Sequence, residues 1–181
     1  LKLDGQKMGF VTSAIGFGGF LGQFLVPSIS DLWGRRLVTL LSFIFSAIFL
    51  WLFIRTGANL PMLFAMLFLA SFANFGALAL IAGPMAAEAA PPGLISAVVG
   101  VVVACGEIFG GGVAPYISGH IATAYGIQYT LWFAMCGQLL GIIVSAFFKE
   151  TAPRFAKSSG TVSALDEVEV GSPAAAGKAP P

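Results

Sequence analysis

Glu107 is the only ionisable residue deep in a long apolar run, about thirteen residues and some 20 Å of helix beyond Leu94. A carboxylate at bilayer depth costs about 3 kcal/mol unless it is paired, hydrated or protonated. Two chemistries fit such a group: taking up and releasing a proton, or staying neutral and hydrogen-bonded to a neighbouring helix. A second constellation is Asp31-Leu32-Trp33-Gly34-Arg35-Arg36, with an acid and two bases around a glycine. Asp31 lies four and five positions before Arg35 and Arg36, close enough in a tight turn for an ion pair that latches two helix ends. The same residues also read as a topology signal, with Arg36 reaching phosphate headgroups. Three amides inside apolar runs, Gln23, Asn74 and Gln138, are further polar candidates.

Other chemistries are excluded by what is missing. Cys105 and Cys136 sit within apolar runs and read as small buried hydrophobes. His120 is the single histidine, at the rim of a run, where a solvated loop-end residue is expected. With no Cys/His cluster there is no ligand set for zinc, and no metal or other cofactor is expected. Nine basic and eight acidic residues give a net charge of +1, which supplies no basic field for nucleic acid. No G-x-x-x-x-G-K-[ST] stretch occurs, so the chain carries no nucleotide site of that kind. A lone His120 far from Glu107 does not build the constellation that a membrane-embedded enzyme needs, and no enzymatic activity is expected.

The elements that must position these residues follow from composition. Hydrophobic residues make up 57% of the 181 and charged residues 9%, where soluble domains carry about 25% charged residues. Mean hydropathy is +0.92. A bilayer core about 30 Å thick needs about 20 apolar residues per helix. Five such runs occur, over about 8–30, 37–54, 61–85, 94–122 and 127–148. They are apolar on all sides, so the fold class expected is all-α, a polytopic bundle of five transmembrane helices. Pro61 suits a first helical turn, whereas Pro91-Pro92-Gly93 after Glu88 breaks the chain.

Residues 1–7 are expected to be a loop outside the membrane, 8–154 the membrane domain, and 155–181, rich in Ser, Gly, Ala and Pro, a disordered cytoplasmic tail. The first residues show neither an initiator Met nor a signal-peptide pattern, as in a chain cut from a longer one. Arg35, Arg36, Lys149, Arg154 and Lys157 gather on one side, and Lys2, Lys7 and Arg55 on the other. That bias puts the Arg35/Arg36 turn and the C-terminus in the cytoplasm of a cell membrane.

Glycines cluster in two of the runs. Gly16, Gly18, Gly19 and Gly22 lie in the first, and Gly106, Gly110, Gly111, Gly112 and Gly119 in the fourth with Pro115. Gly18/Gly22 and Gly106/Gly110 are i,i+4 pairs that admit another backbone closely. Gly110-Gly111-Gly112 before Pro115 also weakens the fourth helix as a hinge would.

Three stretches resemble one family. Asp31-Leu32-Trp33-Gly34-Arg35-Arg36 is similar to the D-R-x-G-R-R element of the major facilitator superfamily, in the weaker form found between its eighth and ninth helices. Pro27 stands where the family's glycine is usual and Leu32 where an Arg is usual. Pro84 to Pro91 resembles the P-x-x-x-E-x-x-P stretch after helix ten, and Glu150-Thr151-Ala152-Pro153 the E-T-x-P ending after helix twelve. The resemblance implies that the five runs are helices eight to twelve and that the partner is the missing N-terminal half. It implies a secondary transporter working by alternating access in the lipid bilayer, with the Gly34 turn as a gating element. Helix ten lines the central cavity in the family, which makes Asn74 a solute contact, with Ser71 and Leu78 on its face; peripheral helix twelve makes Gln138 an interhelical hydrogen bond. Proton coupling through Glu107, and an organic anion or sugar-type metabolite as the small solute, are the sharper expectations. A non-transporting scaffold or sensor on the same fold is the alternative.

Overall fold

The computed structural model describes residues 4–57, 59–148 and 150. They form five helices long and apolar enough to cross a membrane: α1 Gly5–Trp33, α2 Arg35–Arg55, α3 Leu60–Glu88, α4 Ile95–Tyr125 and α5 Gln128–Ala146. No strand occurs among the described residues. The all-α class expected from the uniform apolarity of the runs is the class observed.

Each boundary has a local cause. Asp4 caps α1, its carboxylate accepting from the Gly5 N–H at 2.8 Å. Gly34 alone separates α1 from α2, at φ 100°, and its N–H donates to the Ser30 carbonyl at 2.9 Å. Asn59 caps α3 by accepting from the Met62 N–H at 3.4 Å, and Pro61 occupies the first turn, where its missing N–H costs nothing. α3 and α4 each contain a π-helical stretch, Ile81–Met85 around Gly83-Pro84 and Glu107–Val113 around the triple glycine. Widened turns of this kind let a helix continue through a residue that breaks the regular ladder. Gly126, at φ 103°, and Ile127 separate α4 from α5.

The core lies among α1, α2 and α3. Ala14, Leu63, Ala77 and Leu80 are fully or almost fully enclosed there. Glycines set the α1–α3 distance: a Cβ on Gly18 would lie 2.4 Å from the Phe68 carbonyl oxygen, and one on Gly22 2.0 Å from that of Phe72. The first glycine cluster therefore makes a close backbone contact of the small-residue type. α5 rests on α2, with Met135 against Ala47 and Leu50 and with the Phe43 ring over Gly141. α4 buries no residue in the bundle and meets it mainly at its two ends.

Several expected boundaries shift. Gly5, Gln6 and Lys7, expected in a loop, are the first residues of α1, because the Asp4 cap starts the helix upstream of the apolar run. Asp31, Leu32 and Trp33 extend α1 to the Gly34 turn, and Ala86 to Glu88 extend α3 past Pro84 through its π-helical turn. Cys105 and Cys136, expected to be buried, are exposed on α4 and α5, since neither helix is enclosed on that face. Lys2, Lys149, Arg154, Lys157, the Thr151-Ala152-Pro153 stretch and the 155–181 tail lie outside the described residues.

Candidate functional site

The densest polar constellation is at the Gly34 end of the bundle. Arg35 opens α2 and is only 6% exposed. Its guanidinium pairs with Asp31 of α1 at 2.5 Å and with Glu88 of α3 at 2.9 Å. Nε also donates to Glu88 at 3.2 Å, and Nη1 donates to the Ser30 hydroxyl at 2.6 Å and to the Pro27 carbonyl at 3.4 Å. One planar cation thus holds three helix ends, which its forked donors do better than a lysine could. Glu150, just beyond α5, accepts from the backbone N–H groups of Arg35 at 2.7 Å and Arg36 at 3.3 Å. A carboxylate there is favoured by the positive end of the α2 dipole.

Gly34 is doubly constrained. Its positive φ suits glycine, and a Cβ would stand 2.6 Å from Glu150 Oε2. Arg36 points elsewhere and donates to the Ala146 carbonyl at 2.7 Å, closing the last turn of α5. Of the two ion pairs that the Asp31 spacing allowed, the one formed is with Arg35.

Of the polar residues inside the apolar helices, Asn74 and Gln138 come together, and Glu107 and Gln23 stand apart from them. Gln138 of α5 donates to the Asn74 side-chain oxygen of α3 at 3.1 Å, an interhelical amide pair. Gln138 Oε1 is buried and has no donor among the described residues. Both amides border a hollow of about 760 Å³ between α3, α4 and α5, together with Phe43, Gly110, Ser118 and Phe133. Along α3, Ser71 is buried, Asn74 half-buried and Leu78 exposed. Glu107 lies at the start of the π-helical stretch, exposed, and curls back along its own helix so that a Cβ on Gly111 would be 3.0 Å from Oε2. It makes no ion pair or hydrogen bond among the described residues. Gln23 is exposed on α1, and His120 is exposed with its ring edge-on to Tyr116 at 4.8 Å.

Around Gly106 and Gly110 nothing lies within 4 Å of an added Cβ. The two i,i+4 glycine pairs, alike in sequence, therefore differ in use. Glu88 and Glu150 were not among the gating residues named from the sequence. The available signal was their charge at the ends of apolar runs, inside stretches already singled out for other reasons. They stand 53 and 115 positions from Arg35, and only the fold brings them to it.

None of the curated proteins searched matches the chain. The family model for the Major Facilitator Superfamily matches residues 1–176. That span includes every helix and the whole Arg35 cluster, and the chain belongs to the Major Facilitator Superfamily, whose members are secondary transporters.

Proposed function

We propose that the chain is part of a transporter that moves a small solute across a cell membrane by alternating access, with the Arg35 cluster as its cytoplasmic latch. The observation that carries this reading is a buried guanidinium shared by carboxylates of α1 and α3, with Glu150 bound to the same helix end. Ion pairs and charge-assisted hydrogen bonds at helix ends can be exchanged as helices rock, without repacking an apolar core.

The partner is further protein on the α4 side. The α1–α2 and α4–α5 hairpins each join a long glycine-rich helix to a shorter one through a short turn that opens on a glycine, at φ 100°, ψ 143° and φ 103°, ψ 154°. α3 fills the glycine face of α1, whereas among the described residues no such helix covers the glycine face of α4 or the hollow beside Gln138. A membrane helix from the rest of the transporter fits there.

Glu107 then faces the opposing half and carries the coupled proton. In the complete transporter reconstituted in proteoliposomes, Glu107→Gln abolishes uptake driven by a proton gradient and leaves solute exchange intact. Unchanged proton-driven uptake by this variant removes Glu107 from the mechanism, and an absence of uptake in the unsubstituted protein favours the scaffold reading. An organic anion or sugar-type metabolite remains the solute class expected; no cation among the described membrane-spanning residues faces the hollow, so the group that holds an anion lies in the partner.

A further inference from the structure

Beside the latch, α1 and α2 diverge and leave a crevice of about 290 Å³. Ile29 and Trp33 form one wall, Leu41 and Phe45 the other, and Phe72 and Ala73 of α3 the floor; Ser42 is the only polar side chain in it. Ile29, Trp33, Leu41 and Phe45 are all exposed, so the crevice opens away from the bundle. It runs along α1 from Trp33 to Val26, seven residues or about 10 Å. That length is about two-thirds of the thickness of one leaflet's hydrocarbon.

At its upper end Trp33, 62% exposed, belongs also to a second hollow that it shares with Arg36, Leu37 and Leu40. Tryptophan at this position marks the membrane–water boundary. Arg36 is exposed, and of its guanidinium only one Nη2 hydrogen bond, to Ala146, is engaged among the described residues. Glu150 borders the same hollow, but its carboxylate is turned to the backbone N–H groups of Arg35 and Arg36.

We propose that this crevice is a lipid site: one acyl chain of a glycerophospholipid lies between α1 and α2, and its phosphate is bound by Arg36. A phosphate diester with attached chains is the chemistry that satisfies both ends at once, an apolar slot of leaflet depth and a guanidinium with unused donors at headgroup level. The site is independent of the transport reading, since it needs only that α1 and α2 cross lipid.

The test is native mass spectrometry of the full-length chain in detergent, titrated with palmitoyl-oleoyl phosphatidylglycerol. Diacylglycerol with the same chains and inorganic phosphate serve as the two partial ligands. A saturable first phospholipid adduct is expected, with each partial ligand binding at least about fivefold more weakly, the scale of one exposed charge-assisted contact. Arg36→Gln weakens the adduct by about the same factor and Arg36→Lys restores most of it. Ile29→Trp, a substitution on an exposed position that fills the slot, removes the adduct while circular dichroism stays unchanged. Equal binding of diacylglycerol, equal binding of free phosphate, or a first adduct indifferent to both Arg36→Gln and Ile29→Trp overturns the site. So does the absence of any saturable adduct, the result expected if a second copy or another helix covers the crevice.

Discussion

The α1–α2 and α4–α5 hairpins are built alike and end up in opposite circumstances. Each has a long glycine-bearing helix, a turn that opens on a glycine near φ 100° and a shorter return helix. In the first, glycines receive a neighbouring backbone, and the turn is tied to two other helices through Arg35, Glu88 and Glu150. In the second, the glycines of α4 meet no other helix among the described residues, Gly111 and Gly112 touching only Glu107 of their own helix, and the Gly126 turn has no charged neighbour among them. Glycine spacing alone therefore does not fix a helix contact. It permits one, and the contact follows where a helix of matching shape arrives.

The contrast breaks most sharply at the glycines themselves. Gly22→Leu forces a side chain into the Phe72 carbonyl and should unfold the α1–α3 pair, a loss of more than about 3 kcal/mol in detergent unfolding of the chain. Gly110→Leu meets open space in the chain and should leave that unfolding transition within about 0.5 kcal/mol, while abolishing transport in the complete protein. Equal destabilisation by both would erase the difference between the hairpins.

The next effect in size is at the latch. Arg35→Met removes the guanidinium that joins three helix ends, and removing one partner of a buried pair costs about 3–5 kcal/mol; with Glu88 at the margin of the bundle, the lower end of that range is expected. Thermal unfolding of the variant measures it, and a double-mutant cycle with Glu88→Gln gives the coupling of α2 to α3 through this pair. The smallest effect is at the amide pair. Asn74→Ala should cost about 0.6–1.7 kcal/mol, the range of interhelical side-chain hydrogen bonds in membranes. A double-mutant cycle with Gln138→Ala sharpens this by giving the coupling of α3 to α5 directly.

The five helices were legible because bilayer thickness and backbone hydrogen bonding leave few alternatives for apolar runs of this length. Their ends were less so. Asp4, Asp31 and Glu88 are polar yet helical or capping, since a helix stops where its backbone groups find other partners and not where its hydrophobicity ends. The Asp31–Arg35 pair was readable from its spacing of four. Glu88 and Glu150 were not readable as members of the same cluster, because nothing in a single sequence records which run ends lie side by side. Asn74 shows the same limit: its identity and depth were plain, but whether it faced a cavity or α5 depended on packing.

With Gly34 as its only intervening residue, the joint between α1 and α2 has no slack. Neither helix can advance along its axis while the other stays behind, so the pair travels as a stiff clip. The clip is pinned where Arg35 is gripped between Asp31 of α1 and Glu88 of α3.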